Sequence, residues 1–176
     1  MKFYFIRHGQ SNYNVKNLCN DDPKKRVYLT ALGKKQAENA RERLKNENIE
    51  VIYISELPRT KQTAHIINKS HKVPIKVDAR INERKTGFEG RSCFEYKKAM
   101  EKDPFHKRAN GGESFLDEKK RVLSFIKDLV KMNYNIIVVV AHEETVKIAA
   151  GYFRKLSDRE IWEMKVENGQ MMEFEI

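Results

Sequence analysis

Two arginines, two histidines and a glutamate stand at punctuated places in this sequence, each beyond a short apolar run. Arg7 and His8 follow Phe3 to Ile6 in "FIRHGQSNYN". Ser55 and Arg59 follow Val51 to Ile54, Glu83 comes after Ile75 to Val77, and His142 follows "IIVVVA" at 136–141. Gathered in one place, these side chains suit phosphoryl chemistry. Arginine grips phosphoryl oxygens through paired N–H donors and never loses its charge. A neutral imidazole attacks phosphorus to form a covalent phosphohistidine, which splits one hard displacement into two easier ones. A nearby carboxylic acid protonates the leaving alkoxide and then takes a proton from the attacking water. With arginines and a second histidine neutralising the transferring oxygens, this chemistry needs no metal.

The elements that must gather these residues follow from periodicity. Lys2 to Ile6 reads as a strand, followed by a polar loop. Thr30 is an N-cap for a helix to about Asn46, with Leu32, Ala37, Ala40 and Leu44 on its apolar side. Val51 to Ile54 is a strand, Arg59 to about Lys69 a helix, and Ile75 to Val77 another strand. Residues 82–113 are irregular, with one short helix near Phe94 to Lys102. Ser114-Phe115-Leu116-Asp117 is a capping box that opens a helix to about Met132. "IIVVVA" is a strand buried on both faces. Helices then start near Glu144 and at Ser157, and Met171 to Ile176 closes the chain as a strand. Strands alternating with helices predict an α/β fold with a mostly parallel sheet. Ligands bind beyond the carboxyl ends of such strands, and the five charged or imidazole side chains all fall there.

Bulk properties bound the rest. The chain has 176 residues, one domain's worth over 1–176, with 40% hydrophobic and 34% charged residues. A net charge of +10 attracts anions. The basic residues are spread along the chain, with Lys24-Lys25-Arg26 the densest run, and no zinc-finger spacing, RRM-type aromatic motif or Gly-X-X-Gly clamp accompanies them. Nucleic acid is therefore not expected as a partner. No apolar run approaches spanning length, so no membrane partner is expected either. Cys19 and Cys93 form no metal or redox motif, and a reducing, cytoplasmic setting fits. "HEETV" at 142–146 is no zinc-protease motif, because its fifth residue is Val146.

"RHGQSNYN", "LTALGKKQA", "SELPRTKQTA", "INERKTGFEG", "GGES" and "VVVAHEET" occur in an order that resembles the histidine phosphatase superfamily, the phosphoglycerate mutase-like proteins, over nearly the whole chain. The resemblance implies a three-layer α/β sandwich and no cofactor. It implies His8 as the phosphorylated nucleophile and Arg7, Arg59 and His142 as the phosphate pocket. Glu83 matches the proton donor, with Glu89 a nearby alternative, and Asn14 matches a loop asparagine that helps to hold phosphate. Gln10 and Ser11 line that loop, Cys19 reads as a loop thiol, and His65, His71 and His106 fit no family position.

Three stretches depart from the family pattern. Glu143 stands where a small residue is usual, either capping its helix or facing the pocket, where its charge narrows the substrate range. "NLCNDDPKKRVY" at 17–28 replaces an arginine- and glycine-containing loop, and no phosphate contact is assigned there. Residues 86–109 form the expected substrate-facing lid, with Lys97, Lys98, Lys107 and Arg108 available to anions. Mutases of the family carry an insertion and a C-terminal tail, whereas this sequence stops at "QMMEFEI", which favours transfer to water. The expectation is a phosphatase for small phosphomonoesters or a phosphoprotein. A mutase-type phosphotransferase and a non-catalytic phospho-ligand binder are the alternatives.

Overall fold

The computed structural model describes residues 1–176. Its strands are β1 (Lys2–Arg7), β2 (Val51–Ile54), β3 (Ile75–Val77), β4 (Ile136–Ala141) and β5 (Met171–Glu175), in one sheet of order β3-β2-β4-β1-β5. All neighbours are parallel except β5, which runs antiparallel to β1 at the edge. The central position of β4 accounts for its composition. Ile137 to Ala141 are fully buried, so neither face needs a polar residue.

Helices α2 (Ala31–Leu44) and α3 (Pro58–Asn68) cover one face, and α5 (Phe115–Leu129), α6 (Glu143–Arg154) and α7 (Asp158–Glu163) the other. Strand alternation decides which residue goes where. Tyr4, Ile6, Ile52, Ile54, Val138 and Val140 pack with Ala40, Leu44, Ala64 and Ile67. Phe3, Phe5, Tyr53 and Val139 pack with Val122, Phe125, Ile126, Val146 and Ile148. The result is the three-layer, mostly parallel α/β sandwich that the sequence predicts. No helix is long and apolar enough to cross a membrane.

Two local expectations change. The polar loop after β1 contains a one-turn helix, α1 (Asn12–Lys16), which Ser11 caps by accepting from the Asn14 N–H. On α2 the inward residue is Gly33 rather than Leu32, which is 50% exposed. Gly33, Ala37, Ala40 and Leu44 follow the helical repeat better than a set beginning at Leu32. The expected helix in the 82–113 segment is α4 (Cys93–Met100), capped by Ser92. Its Met100 joins Cys19, Phe88 and Ala109 in a small separate cluster.

Candidate active site

Register brings the two histidines together. Arg7 lies opposite Ala141 in the β1–β4 pair, and the His8 N–H donates to the Ala141 carbonyl. His8 and His142 therefore leave adjacent strands at the same end, with ring centres 5.3 Å apart. The turn after His8 needs glycine for close approach. A Cβ on Gly9 would lie 2.1 Å from the Gly33 carbonyl oxygen, because this turn rests backbone to backbone on the start of α2. Arg59 enters from the first turn of α3, behind Pro58 at N1, where proline's missing N–H costs nothing. Glu83 follows a 3₁₀ turn at Ala79–Ile81 that Asp78 caps.

Arg59 is the hub. Its side chain is buried, yet Nε donates to His8 Nε2 at 3.0 Å, and Nη2 donates to His142 Nδ1 at 3.2 Å and to Glu83 Oε2 at 3.4 Å. Nη1 and Nη2 also bond the Asn20 side chain and carbonyl. Both imidazoles are buried, and burial first, then the Arg59 charge, holds each well below the ordinary histidine value. They are neutral, and their tautomers follow from their partners. His8 Nδ1 lies 2.7 Å from the Gly9 carbonyl, so Nδ1 carries the proton and Nε2 keeps its lone pair. His142 Nδ1 accepts from Arg59, so Nε2–H donates to Ser55 Oγ at 2.9 Å, which in turn bonds Thr60 Oγ1. Burial raises the Glu83 carboxyl above its ordinary value although Arg59 opposes the shift. A carboxyl group that keeps its proton above the usual carboxylate range, beside a neutral imidazole whose Nε2 lone pair is engaged by Arg59 alone, pairs an acid with a nucleophile.

His8, Glu83 and His142 offer nitrogen and oxygen atoms within 4.8 Å of one another, a set of the kind that binds transition metals. The Arg59 guanidinium hydrogen-bonds to these same groups, so a fixed positive charge already stands among the atoms a cation would use.

The cleft above these groups encloses about 600 Å³ and is lined by Arg7, Asn14, Arg59 and Glu83 among others. Arg7 Nη1 donates to the Val166 carbonyl and lies 2.9 Å from Glu143 Oε2, while its buried Nε has no partner. Asn14 is not a free loop residue. Its Oδ1 accepts from the Ser11 N–H and Oγ and from Asn168 Nδ2, which leaves its own Nδ2 uncommitted at the cleft. Glu89 serves elsewhere, accepting from Asn20 Nδ2 and from the Asp21 and Asp22 N–H groups. Glu143 faces the cleft rather than only capping its helix. Of the four cations expected on the lid, Lys97 alone lines the cleft, and Arg108 is paired with Asp117.

Sequence reasoning missed Asn20, which holds Arg59 and is itself held by Glu89. An asparagine before two aspartates reads as an ordinary turn, and nothing local marks it as an arginine brace. It also missed that Cys19 and Cys93 place their sulfurs 3.1 Å apart in the cleft wall, since 74 residues separate them. Arg84 and Glu118 form a buried pair at 2.7 Å behind the site, with Tyr96 and Glu144 also against Arg84.

A doubly covered, mostly parallel sheet whose strand ends hold two neutral imidazoles, two guanidiniums and a carboxyl group with a raised pKa has the makings of a phosphoryl-transfer enzyme. The chain belongs to the histidine phosphatase superfamily (branch 1), whose family model matches residues 3–176. It is 30% identical over 172 residues to a 2,3-bisphosphoglycerate-dependent phosphoglycerate mutase of Thermoplasma acidophilum, covering 94% of this chain and 82% of that one. It is 26% identical over 178 residues to the adenosylcobalamin/alpha-ribazole phosphatase of Escherichia coli, covering 96% and 87%. The crystal structure of the alpha-ribazole phosphatase from Shigella flexneri superposes with a TM-score of 0.90 at 26% identity, covering 100% of this chain and 91% of that one.

Proposed function

We propose that this protein is a phosphatase that hydrolyses small phosphomonoesters through a phosphohistidine on His8, with residues 1–176 acting as one catalytic domain and 86–109 forming its substrate-facing wall. The observation that carries this reading is the pair of contacts on the His8 ring: Nδ1 lies 2.7 Å from the Gly9 carbonyl, which leaves the Nε2 lone pair turned toward the Arg59 guanidinium. In the first step His8 Nε2 bonds to phosphorus, the ester P–O bond breaks, and the Glu83 carboxyl gives its proton to the leaving oxygen. In the second, Glu83 as carboxylate takes a proton from water, whose oxygen bonds to phosphorus as the P–N bond breaks. Phosphate leaves, and His8 is neutral again. Arg7, Arg59 and the free Asn14 amide donate to the phosphoryl oxygens throughout, and His142, its Nε2–H committed to Ser55, serves the phosphate pocket by holding Arg59 through Nδ1. Glu83 keeps 26% of its side chain exposed, so water reaches the group that must activate it.

The test follows p-nitrophenyl phosphate hydrolysis with EDTA present, in wild type and His8→Ala, and assays the denatured protein for an acid-labile, alkali-stable phosphate. Turnover and label in wild type, both lost in His8→Ala, are expected. A stable label that passes to an added alcohol but not to water would instead make the protein a mutase-type phosphotransferase, the activity named for the Thermoplasma relative. Neither turnover nor label would reduce it to a phospho-ligand binder.

A further inference from the structure

Among the charged cleft residues that the two-step reaction leaves without a task, Glu143 alone touches a phosphate-binding group, Arg7. Glu143 Oε2 lies 2.9 Å from Arg7 Nη1, and its Oε1 lies 3.4 Å from Lys147 Nζ. Beside it, Glu144 lines the same wall, with Lys147 Nζ 3.0 Å from Oε1 and Arg84 Nη2 3.3 Å from Oε2.

The charge on this wall can be followed residue by residue. Arg84 is shared between Glu118 at 2.7 Å and Glu144 at 3.3 Å, and Arg121, 3.8 Å from Glu118, is itself paired with Glu113. Arg7 is committed to the phosphoryl group once substrate arrives. Lys147 is then the one cation left against Glu143, and it is shared with Glu144, so the wall beside the bound ester carries excess negative charge. The rim differs. Lys97 and Lys165 line the cleft as exposed side chains without an ion-pair partner, so an anion farther from the ester meets no such penalty.

Resting on the assignment of Arg7 to phosphate, we infer that Glu143 is a specificity-determining residue that selects the leaving group by its charge next to the ester oxygen. It disfavours an adjacent carboxylate and favours an adjacent ammonium or hydroxyl. The substrate class is therefore phosphomonoesters of amino alcohols or polyols rather than of short hydroxy acids. Repulsion between Glu143 and the phosphoryl group is common to all substrates and cancels in a ratio; only the leaving-group term discriminates.

O-phosphoethanolamine and 2-phosphoglycolate share a two-carbon skeleton and differ in an ammonium against a carboxylate. Their kcat/KM values are measured for wild type and for Glu143→Gln, which keeps the shape and removes the charge. Wild type is expected to prefer phosphoethanolamine by about tenfold or more, and Glu143→Gln to cut that ratio about tenfold, chiefly by improving phosphoglycolate. A ratio unchanged in Glu143→Gln, or a wild type that prefers phosphoglycolate, overturns the inference. Dissociation constants for both esters, measured by calorimetry on His8→Ala with and without Glu143→Gln, decide it independently of turnover. The same loss of preference is expected there, and an unchanged ratio, or no binding of either ester, overturns it. A wild type that binds with this preference but hydrolyses neither ester, nor p-nitrophenyl phosphate, sinks the phosphatase reading alone.

Discussion

Glu83 is buried enough to keep its proton above the usual carboxylate range and exposed enough for water to reach it. The sign of its pH effect follows. A group whose folded pKa is raised stays protonated, and so competent as an acid, until pH rises through that value; beyond it the acid is lost. The pH profile of kcat/KM should therefore fall on its basic side, and Glu83→Gln should remove that limb while lowering kcat by about 10²- to 10⁴-fold. A limb that survives the substitution would take the acid role from Glu83. Asn20 acts through Arg59 rather than on substrate. Asn20→Ala removes the acceptor that orients the guanidinium, and about a tenfold loss of kcat/KM is expected, with the pH limb of Glu83 unmoved. Steady-state kinetics across pH distinguish the two residues.

At the scale of elements, the site depends on how closely α2 approaches the turn after β1. Gly9 and Gly33 meet there with no room for a side chain, since a Cβ on Gly33 would lie 2.0 Å from the Gln10 carbonyl oxygen. Thr30 and Gln36 hold the same turn, the first as N-cap of α2 and the second by accepting from the Gln10 N–H. Gly33→Ala, although alanine is the better helix former, should lower stability by about 1–3 kcal/mol through overpacking and displace His8. Denaturant unfolding and p-nitrophenyl phosphate turnover would show both losses together. An unchanged midpoint would mean that the helix shifts aside freely. The capping box of α5 is a simpler case, because neither Ser114 nor Asp117 bonds to His8, Arg59, Glu83 or His142. Ser114 Oγ accepts from the Asp117 N–H, and Ser114→Ala should cost about 1 kcal/mol, read in the same unfolding experiment.

Across the whole molecule, the net charge of +10 acts as a long-range field rather than as a set of contacts. Anionic esters are drawn toward it, and salt screens the attraction over about 10 Å at 0.1 M. Raising ionic strength should lower kcat/KM for a dianionic substrate by a few-fold while leaving kcat nearly unchanged. A matching fall in kcat would place the effect on chemistry rather than on encounter. Inorganic phosphate should raise the unfolding temperature by binding the folded site alone, and Arg59→Met should abolish that rise. Calorimetric scans with and without phosphate check both.

The order of elements was legible in the sequence because alternation and helical repeat are local, and a central place for β4 follows from an apolar run that only a doubly covered strand tolerates, whereas its neighbours β1 and β2 were decided by strand pairing. His8, Arg59, Glu83 and His142 were legible for a related reason. Each sits just beyond a strand or at a helix start, where a parallel sheet must open its site. What lay outside reach was set by contacts between distant segments. Asn20 braces Arg59 across 39 residues, Cys19 meets Cys93 across 74, and Glu143 turns toward Arg7 instead of merely capping α6. Residue type and spacing carry the local free energies of helix, strand and cap. The partner a buried polar group finds is decided when the layers pack, because only then is water removed and a hydrogen bond within the protein required in its place.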